Sequence, residues 1–156
     1  MAKENFVEVL ENLLEKKINN DFEFVWDKRN FTITLCFIID VHNPEHIEVI
    51  DIDGEKTTEN IAYEDAILFY HPSKSVFDKD DYLAVFPFQD KKGLSGEFLE
   101  LFTNHLQDVL VNGESDLMDF LTDDTQEVFT LDFLQDEFER KRQSISEAEF
   151  YGYPKY

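Results

Sequence analysis

The chain opens on a helical period. Phe6, Val9, Leu10, Leu13, Leu14 and Ile18 recur at three- and four-residue spacing, with Glu8, Glu11 and Glu15 on the opposite side. That spacing predicts an amphipathic helix over about Lys3–Lys17 with one face in a core. Asn19-Asn20-Asp21 ends it, because these side chains compete for backbone hydrogen bonds and favour turns. The period then drops to two. Phe22, Phe24 and Trp26 alternate with Glu23 and Val25. After the polar turn Asp27-Lys28-Arg29-Asn30, Phe31, Ile33, Leu35, Phe37 and Ile39 alternate with Thr32, Thr34 and Cys36. This is a β-hairpin with one strongly apolar face. Ile47–Ile52, Ile61–Tyr70 and Tyr82–Phe88 read as further strands, about five in all, with Asp53-Gly54 as a tight turn. Pro87 has no amide to donate, so it belongs on a sheet edge or at a strand end.

Helical spacing returns with Leu94, Phe98, Leu101, Phe102, Leu106, Val109 and Leu110. Ser95 is the expected N-cap, with Leu94 and Leu99 as a hydrophobic staple around it. Asn112-Gly113 is the expected left-handed stop, and Ser115 then caps a second, short helix through Leu121. From Val128 onward two periods overlap. Phe129, Leu131 and Phe133 alternate, whereas Leu131, Leu134, Phe138 and Ile145 are helical. An extended piece leading into a helix over about Asp132–Arg142 accommodates both. The terminal Phe150-Tyr151-Gly152-Tyr153-Pro154-Lys155-Tyr156 is aromatic and no helix, and docking on the sheet is preferred to exposure, since exposed aromatic clusters promote association. One helix, a run of strands joined without intervening helices, and then helices define an α+β fold. Its expected parts are an N-terminal helix, a largely antiparallel sheet and a layer of C-terminal helices. With no linker or repeat, residues 1–156 read as one domain carrying a short aromatic tail, 150–156.

Composition narrows the function. The 156 residues contain 35 Asp and Glu against 14 Lys and Arg, a formal net charge of −21. A basic footprint for phosphate is missing, which argues against direct binding to nucleic acid or to an anionic membrane and leaves a basic partner open. The single cysteine, Cys36, excludes an intrachain disulfide and fits a reducing cytosol. The start of the chain has no apolar leader, and the longest apolar run, Leu35–Ile39, is far too short to span a bilayer, so a cytoplasmic setting is expected.

The charge has a location. Residues 93–139 hold 13 Asp or Glu and no Lys or Arg. Glu97, Glu100, Asp108, Glu114, Asp116, Asp119, Asp123 and Asp124 are therefore the candidate surface for a basic protein, which such a field would steer. The plainer explanation is that they are the solvated backs of amphipathic helices. A second, weaker candidate is Lys91, Lys92, Ser95 and Gly96, where two cations and a helix start could hold an anion, although a loop entering a capped helix explains the same residues.

Other chemistry is thin. Asp51-Ile52-Asp53-Gly54-Glu55 invites a calcium loop, but Lys56 and Ala62 stand where the loop needs Gly and Glu. His42 and His46 are separated by Pro44, so they do not share a helix face as zinc ligands. With His71 and His105 they read as surface or packing residues. Cys36 reads as a buried structural thiol, because nothing near it in sequence lowers its pKa. No nucleophile elbow, P-loop or dinucleotide fingerprint occurs. The sequence thus assigns no catalytic residue, metal ligand or cofactor.

Several idiosyncratic segments carry a resemblance. Trp26-Asp27-Lys28-Arg29-Asn30, Ala66-Ile67-Leu68-Phe69-Tyr70-His71-Pro72-Ser73-Lys74, Lys92-Gly93-Leu94-Ser95, Asp116-Leu117-Met118-Asp119-Phe120-Leu121-Thr122-Asp123 and the Tyr-rich terminus are the segments concerned. Together with the leading helix they resemble an uncharacterised bacterial family, domain of unknown function number 3013, of lactic-acid bacteria and relatives. The resemblance covers essentially the whole chain and implies a small cytoplasmic bacterial protein of undetermined role. It transfers no activity and no site residues. The expected function is a non-enzymatic acidic protein that binds a basic protein, of the inhibitor, immunity or nucleic-acid-mimic kind. The alternative is a ligand- or anion-binding protein or enzyme with a pocket between sheet and helices near residues 92–96.

Overall fold

The computed structural model describes residues 4–41, 49–50, 56–57, 61–122 and 130–154. Helix α1 spans Phe6–Lys17, its first turn closed by Asn5, whose Oδ1 accepts the Glu8 amide at 2.9 Å. Phe6, Leu10 and Leu14 are buried, as the spacing predicts. Strands β1 (Phe22–Asp27) and β2 (Thr32–Val41) form the expected hairpin, Phe22 opposite Phe37 and Asp27 opposite Thr32. Phe31 is not in the strand. It adopts a left-handed backbone (φ 56°) that closes the turn, while Asp27 Oδ1 accepts the amides of Arg29 and Asn30. Short strands β3 (Val49–Ile50) and β4 (Lys56–Thr57) pair with each other. The expected turn at Asp53-Gly54, the calcium-like residues Asp51–Glu55, and His42 and His46 lie outside the described residues.

Strand β5 (Ile61–Tyr70) pairs antiparallel with β2, and β6 (Ala84–Pro87) pairs parallel with β5. The main sheet therefore has the order β1-β2-β5-β6 and is antiparallel except at its last pair. The connection 71–83 permits that exception, since a parallel crossover needs roughly a dozen residues. It runs over the sheet face turned away from the helices. Asn30 exchanges two hydrogen bonds of 2.7 Å with the Val76 backbone, Ser75 Oγ donates to Phe31 O, and Phe77 packs on Tyr70. Pro87 ends the edge strand, where its missing amide costs no ladder bond.

Strand β7 (Leu94–Ser95) leads directly into helix α2 (Gly96–Thr122). Ser95 is the cap expected, its Oγ accepting the Phe98 amide at 3.0 Å. The stop at Asn112-Gly113 is a correction. The helix runs through both residues and through Ser115, so one long helix replaces two. Gly113 is a packing glycine rather than a turn glycine. A Cβ there would stand 2.5 Å from Leu131 Cδ1 and 3.2 Å from Ile39 Cδ1, so its bare backbone lets α2 approach β2. Helix α3 (Gln135–Gln143) starts later than the spacing suggests, because Leu134 is left-handed (φ 59°), with its amide held by Asp132 Oδ1. Val128 and Phe129 lie outside the described residues.

One buried cluster joins α1, the inward sheet face, α2 and α3. At its centre Phe86 meets Phe69, Phe98, Phe102, Phe133 and Phe138 at centroid distances of 5.3–6.1 Å. This absorbs much of the phenylalanine excess. The aromatic tail is docked over Phe150–Tyr153, and Lys155 and Tyr156 lie outside the described residues. Strand β8 (Phe150–Tyr151) pairs with β7, the Phe6 amide donates to Gly152 O, and Tyr153 stacks on Phe88 at 5.0 Å. Trp26 Nε1–H donates to the Tyr153 hydroxyl. The terminus thereby ties the starts of α1 and α2 to the hairpin.

Candidate functional site

Helix α2 lies with one face on the core and the other in solvent. At 3.6 residues per turn, Glu100, Asp108, Glu114 and Asp119 share the outer face with Asn104 and Ser115, and all are exposed. Asp116 is exposed too but falls on a different flank of the helix. Asp123 and Asp124 lie outside the described residues. Glu97 stands apart: its Oε1 accepts the amides of Ala148 and Glu149 at 2.6 and 3.0 Å, which hold its carboxyl below the usual range. It shares the helical angle of Asn104 and Asp108, but its carboxylate is engaged in anchoring the segment before β8.

Two apolar side chains interrupt the acidic face. Val111 is 63% exposed and Met118 is 49% exposed. They are seven residues apart, hence on one stripe, framed by Asp108, Glu114 and Asp119. Two basic side chains of α3, Lys141 and Arg142, are engaged elsewhere. Lys141 pairs with Glu137 and Arg142 with Glu147, each at 3.5 Å, and the Arg142 guanidinium lies over the Phe98 ring.

The start of α2 has a different character from its flank. Lys91 and Lys92 are exposed in a tight turn closed by reciprocal bonds of 2.9 Å between Gln89 and Gly93. Gly93 has φ +76°, and a Cβ there would sit 2.0 Å from Tyr151 O, so turn and close approach both require glycine. Lys92 Nζ lies over the Phe150 ring. The Gly96 amide donates to Glu149 O, the Phe98 amide to Ser95 Oγ, and Ser95 Oγ–H to Glu147 at 2.7 Å. Amides that an anion would use are already engaged, and a carboxylate stands at the cap.

The two described histidines are packing residues. His105, 2% exposed, contacts Phe133 O through Nε2 at 2.6 Å, with Lys141 Nζ 3.4 Å from Nδ1. Burial holds its pKa down, and Lys141 adds to this against the opposing carbonyl and carboxylates. His71 Nε2 pairs with Asp90 at 2.9 Å, and Nδ1 faces the Ser73 amide at 3.2 Å. Since that amide donates to Nδ1, Nε2 carries the proton toward Asp90, and Nδ1 is not free to deprotonate the Ser73 hydroxyl. His71 pulls the Asp90 carboxyl down.

Cys36 corrects the sequence reading. It is half-buried, not buried, because the sheet face opposite the helices is only partly covered. Burial first, then Glu23 and Glu64, push its thiol pKa up, so it is a poor nucleophile. It sits in an open groove on the outward sheet face that the sequence reading missed. The signal was present in the alternation itself, which sends Glu23, Cys36 and Glu64 outward while Phe37 and Ile39 turn in. Among the described residues, no three His, Cys, Asp or Glu side chains converge as metal ligands.

The family model described as a protein of unknown function (DUF3013) matches residues 1–155. The chain belongs to that family. A crystal structure of a conserved protein of unknown function from Enterococcus faecalis is similar over 99% of this chain and 98% of that chain, with a TM-score of 0.82 and 34% identity. No curated protein matches. The Enterococcus faecalis protein thus shares this α+β architecture, and neither description assigns a reaction or a ligand. Among the described residues no helix is long and apolar enough to cross a membrane.

Proposed function

We propose that this protein is a non-enzymatic acidic interaction protein that binds a basic protein partner on the outer face of α2. The observation that carries the reading is the pair Val111 and Met118, exposed one heptad apart inside the frame of Asp108, Glu114 and Asp119. Two solvent-facing apolar side chains on one helical stripe offer desolvation, and surrounding carboxylates offer steering and register. The fit is to an apolar surface bordered by Lys or Arg. A cytoplasmic partner is the natural one, given the single free cysteine and the acidic surface. Inhibition or immunity toward a basic enzyme, or occupation of its nucleic-acid site, is the role such a face would serve.

A photo-crosslinking residue at position 111, compared with one at position 25 on the sheet, tests the reading. The α2 probe should capture one partner whose yield falls with salt and with Asp108→Asn/Glu114→Gln. Equal capture from both positions, or capture indifferent to the charge changes, would exclude α2 as the binding face.

A further inference from the structure

The outer face of α2 also specifies the form of its partner, a step that rests on the reading of α2 as the face for a basic protein. Among the described residues the exposed large apolar side chains are Val25, Val76, Val111 and Met118. Val25 belongs to β1 and Val76 to the crossover, whereas Val111 and Met118 share one helix. Residues i, i+3, i+4 and i+7 of a helix form a diamond on its surface, the hole that receives one side chain of a second helix. Val111, Glu114, Ser115 and Met118 are such a set, and all four are exposed. Val111 and Met118 are the apolar ends of the diamond. Ser115 leaves room on one side, and Glu114 supplies a charge on the other.

The hole one heptad earlier has another character. It is formed by Asn104, Gln107, Asp108 and Val111, of which only Val111 is apolar, and the Gln107 amide is committed to the Lys17 carbonyl at 2.7 Å. The face therefore offers one apolar hole followed by polar contacts. Charge runs along the same strip. At about 100° per residue, Glu100, Val111, Ser115 and Met118 lie within about 40° of one line parallel to the axis, with Asp108 about 60° to one side and Glu114 about 60° to the other. Glu100 to Met118 covers about 27 Å at the helical rise. A loop or a crossing strand that reached the hole would meet one turn of this strip. A helix laid along it meets the hole and the carboxylates on both flanks.

We infer that α2 receives an amphipathic α-helix of its partner, laid along Glu100–Met118. One large apolar side chain enters the hole between Val111 and Met118, and Lys or Arg on both sides of the partner's apolar stripe face Asp108 and Glu114. Charge complementarity selects the flanks, and the hole selects the knob.

Fluorescence anisotropy of a labelled synthetic peptide against the full chain tests the inference. The probe is an alanine-based peptide of about 20 residues, long enough to be helical alone, with leucines on one stripe and lysines on both flanks. Saturable binding is expected, at least tenfold weaker with a central proline in the peptide and lost with glutamate in place of lysine. Val111→Gln/Met118→Gln should weaken it at least tenfold, and so should Ser115→Trp, which fills the hole without changing the charge. These are exposed helical positions, so the variants should keep the wild-type circular dichroism. Glu23→Gln/Glu64→Gln on the sheet should leave binding within twofold. A proline peptide that binds as tightly as the helix overturns the helical form of the partner and leaves α2 as the face for a basic protein. Unchanged binding in the hole variants also overturns the inference, and unchanged binding in Asp108→Asn/Glu114→Gln as well removes the α2 reading with it.

Discussion

Gly113 gives the most discriminating test of the fold, because two readings of one residue predict different couplings. As a left-handed stop it would tolerate Ala poorly whatever surrounds it. As a packing glycine inside α2 its behaviour depends on Leu131. Gly113→Ala gains helix propensity, about 1 kcal/mol. It also adds a Cβ 2.5 Å from Leu131 Cδ1, where both residues are buried and the approach to Ile39 is already close at 3.2 Å. Overpacking of that kind costs about 1–3 kcal/mol. The expected net effect is a loss of about 0–2 kcal/mol, the difference of these two terms. Leu131→Ala alone should cost about 2–5 kcal/mol as a buried truncation. In that background the methyl has room, so Gly113→Ala should become stabilising by up to about 1 kcal/mol. The coupling is therefore at least about 1 kcal/mol in favour of the double variant. Urea unfolding of the four proteins, followed by far-ultraviolet circular dichroism and by Trp26 fluorescence, measures it. Additive effects, or a loss of helical signal in Gly113→Ala, would refute the packing account.

Three further outcomes follow from the described contacts. Folded His105 loses its proton at a lower pH than the unfolded reference of 6.5, chiefly through burial, so below that reference the unfolded chain binds the extra proton and stability is lost as the pH is lowered. Urea midpoints between pH 7.5 and 5.5 should slope less steeply in His105→Gln, and parallel slopes would remove His105 as the cause. Tyr153→Ala strips ring contacts with Phe6, Trp26, Phe31 and Phe88 and should cost about 2–4 kcal/mol, somewhat below a fully buried aromatic. Tyr153→Phe should cost only about 0.5–1.5 kcal/mol for the lost indole hydrogen bond. Thermal melts distinguish the two variants, and a wild-type melting point in Tyr153→Ala would mean that the tail is not docked. Cys36 should alkylate more slowly at pH 8 than a free model thiol, and Glu64→Gln should speed it, as less negative charge favours the thiolate. An unchanged rate in that variant would exclude the carboxylate's influence.

The sequence by itself determined the elements whose periods are long and whose boundaries have chemical markers. Phe6 to Leu14, the Phe22–Ile39 hairpin, the β5 strand and the Ser95 cap are local facts, fixed by alternation, helical spacing or one side-chain oxygen. It also placed Glu100, Asp108, Glu114 and Asp119 on the back of a helix. Glycine was ambiguous, because its missing Cβ serves a left-handed turn at Gly93 and a close helix–strand approach at Gly113 equally well. Only the partner surface, Leu131 and Ile39, decides between them. The parallel β5–β6 pair, the docking of Tyr153, the separate duty of Glu97 and the half-open position of Cys36 are likewise decided by residues far away in the chain. The same holds for the outward surfaces. Val111 and Met118 look like core residues until the packing of α2 turns them outward, and Asp21, Glu23, Glu64 and Asp81 become one groove only when the strand order brings their segments together. Net charge is a property of composition, but where it meets apolar surface is a property of the assembled sheet and helices.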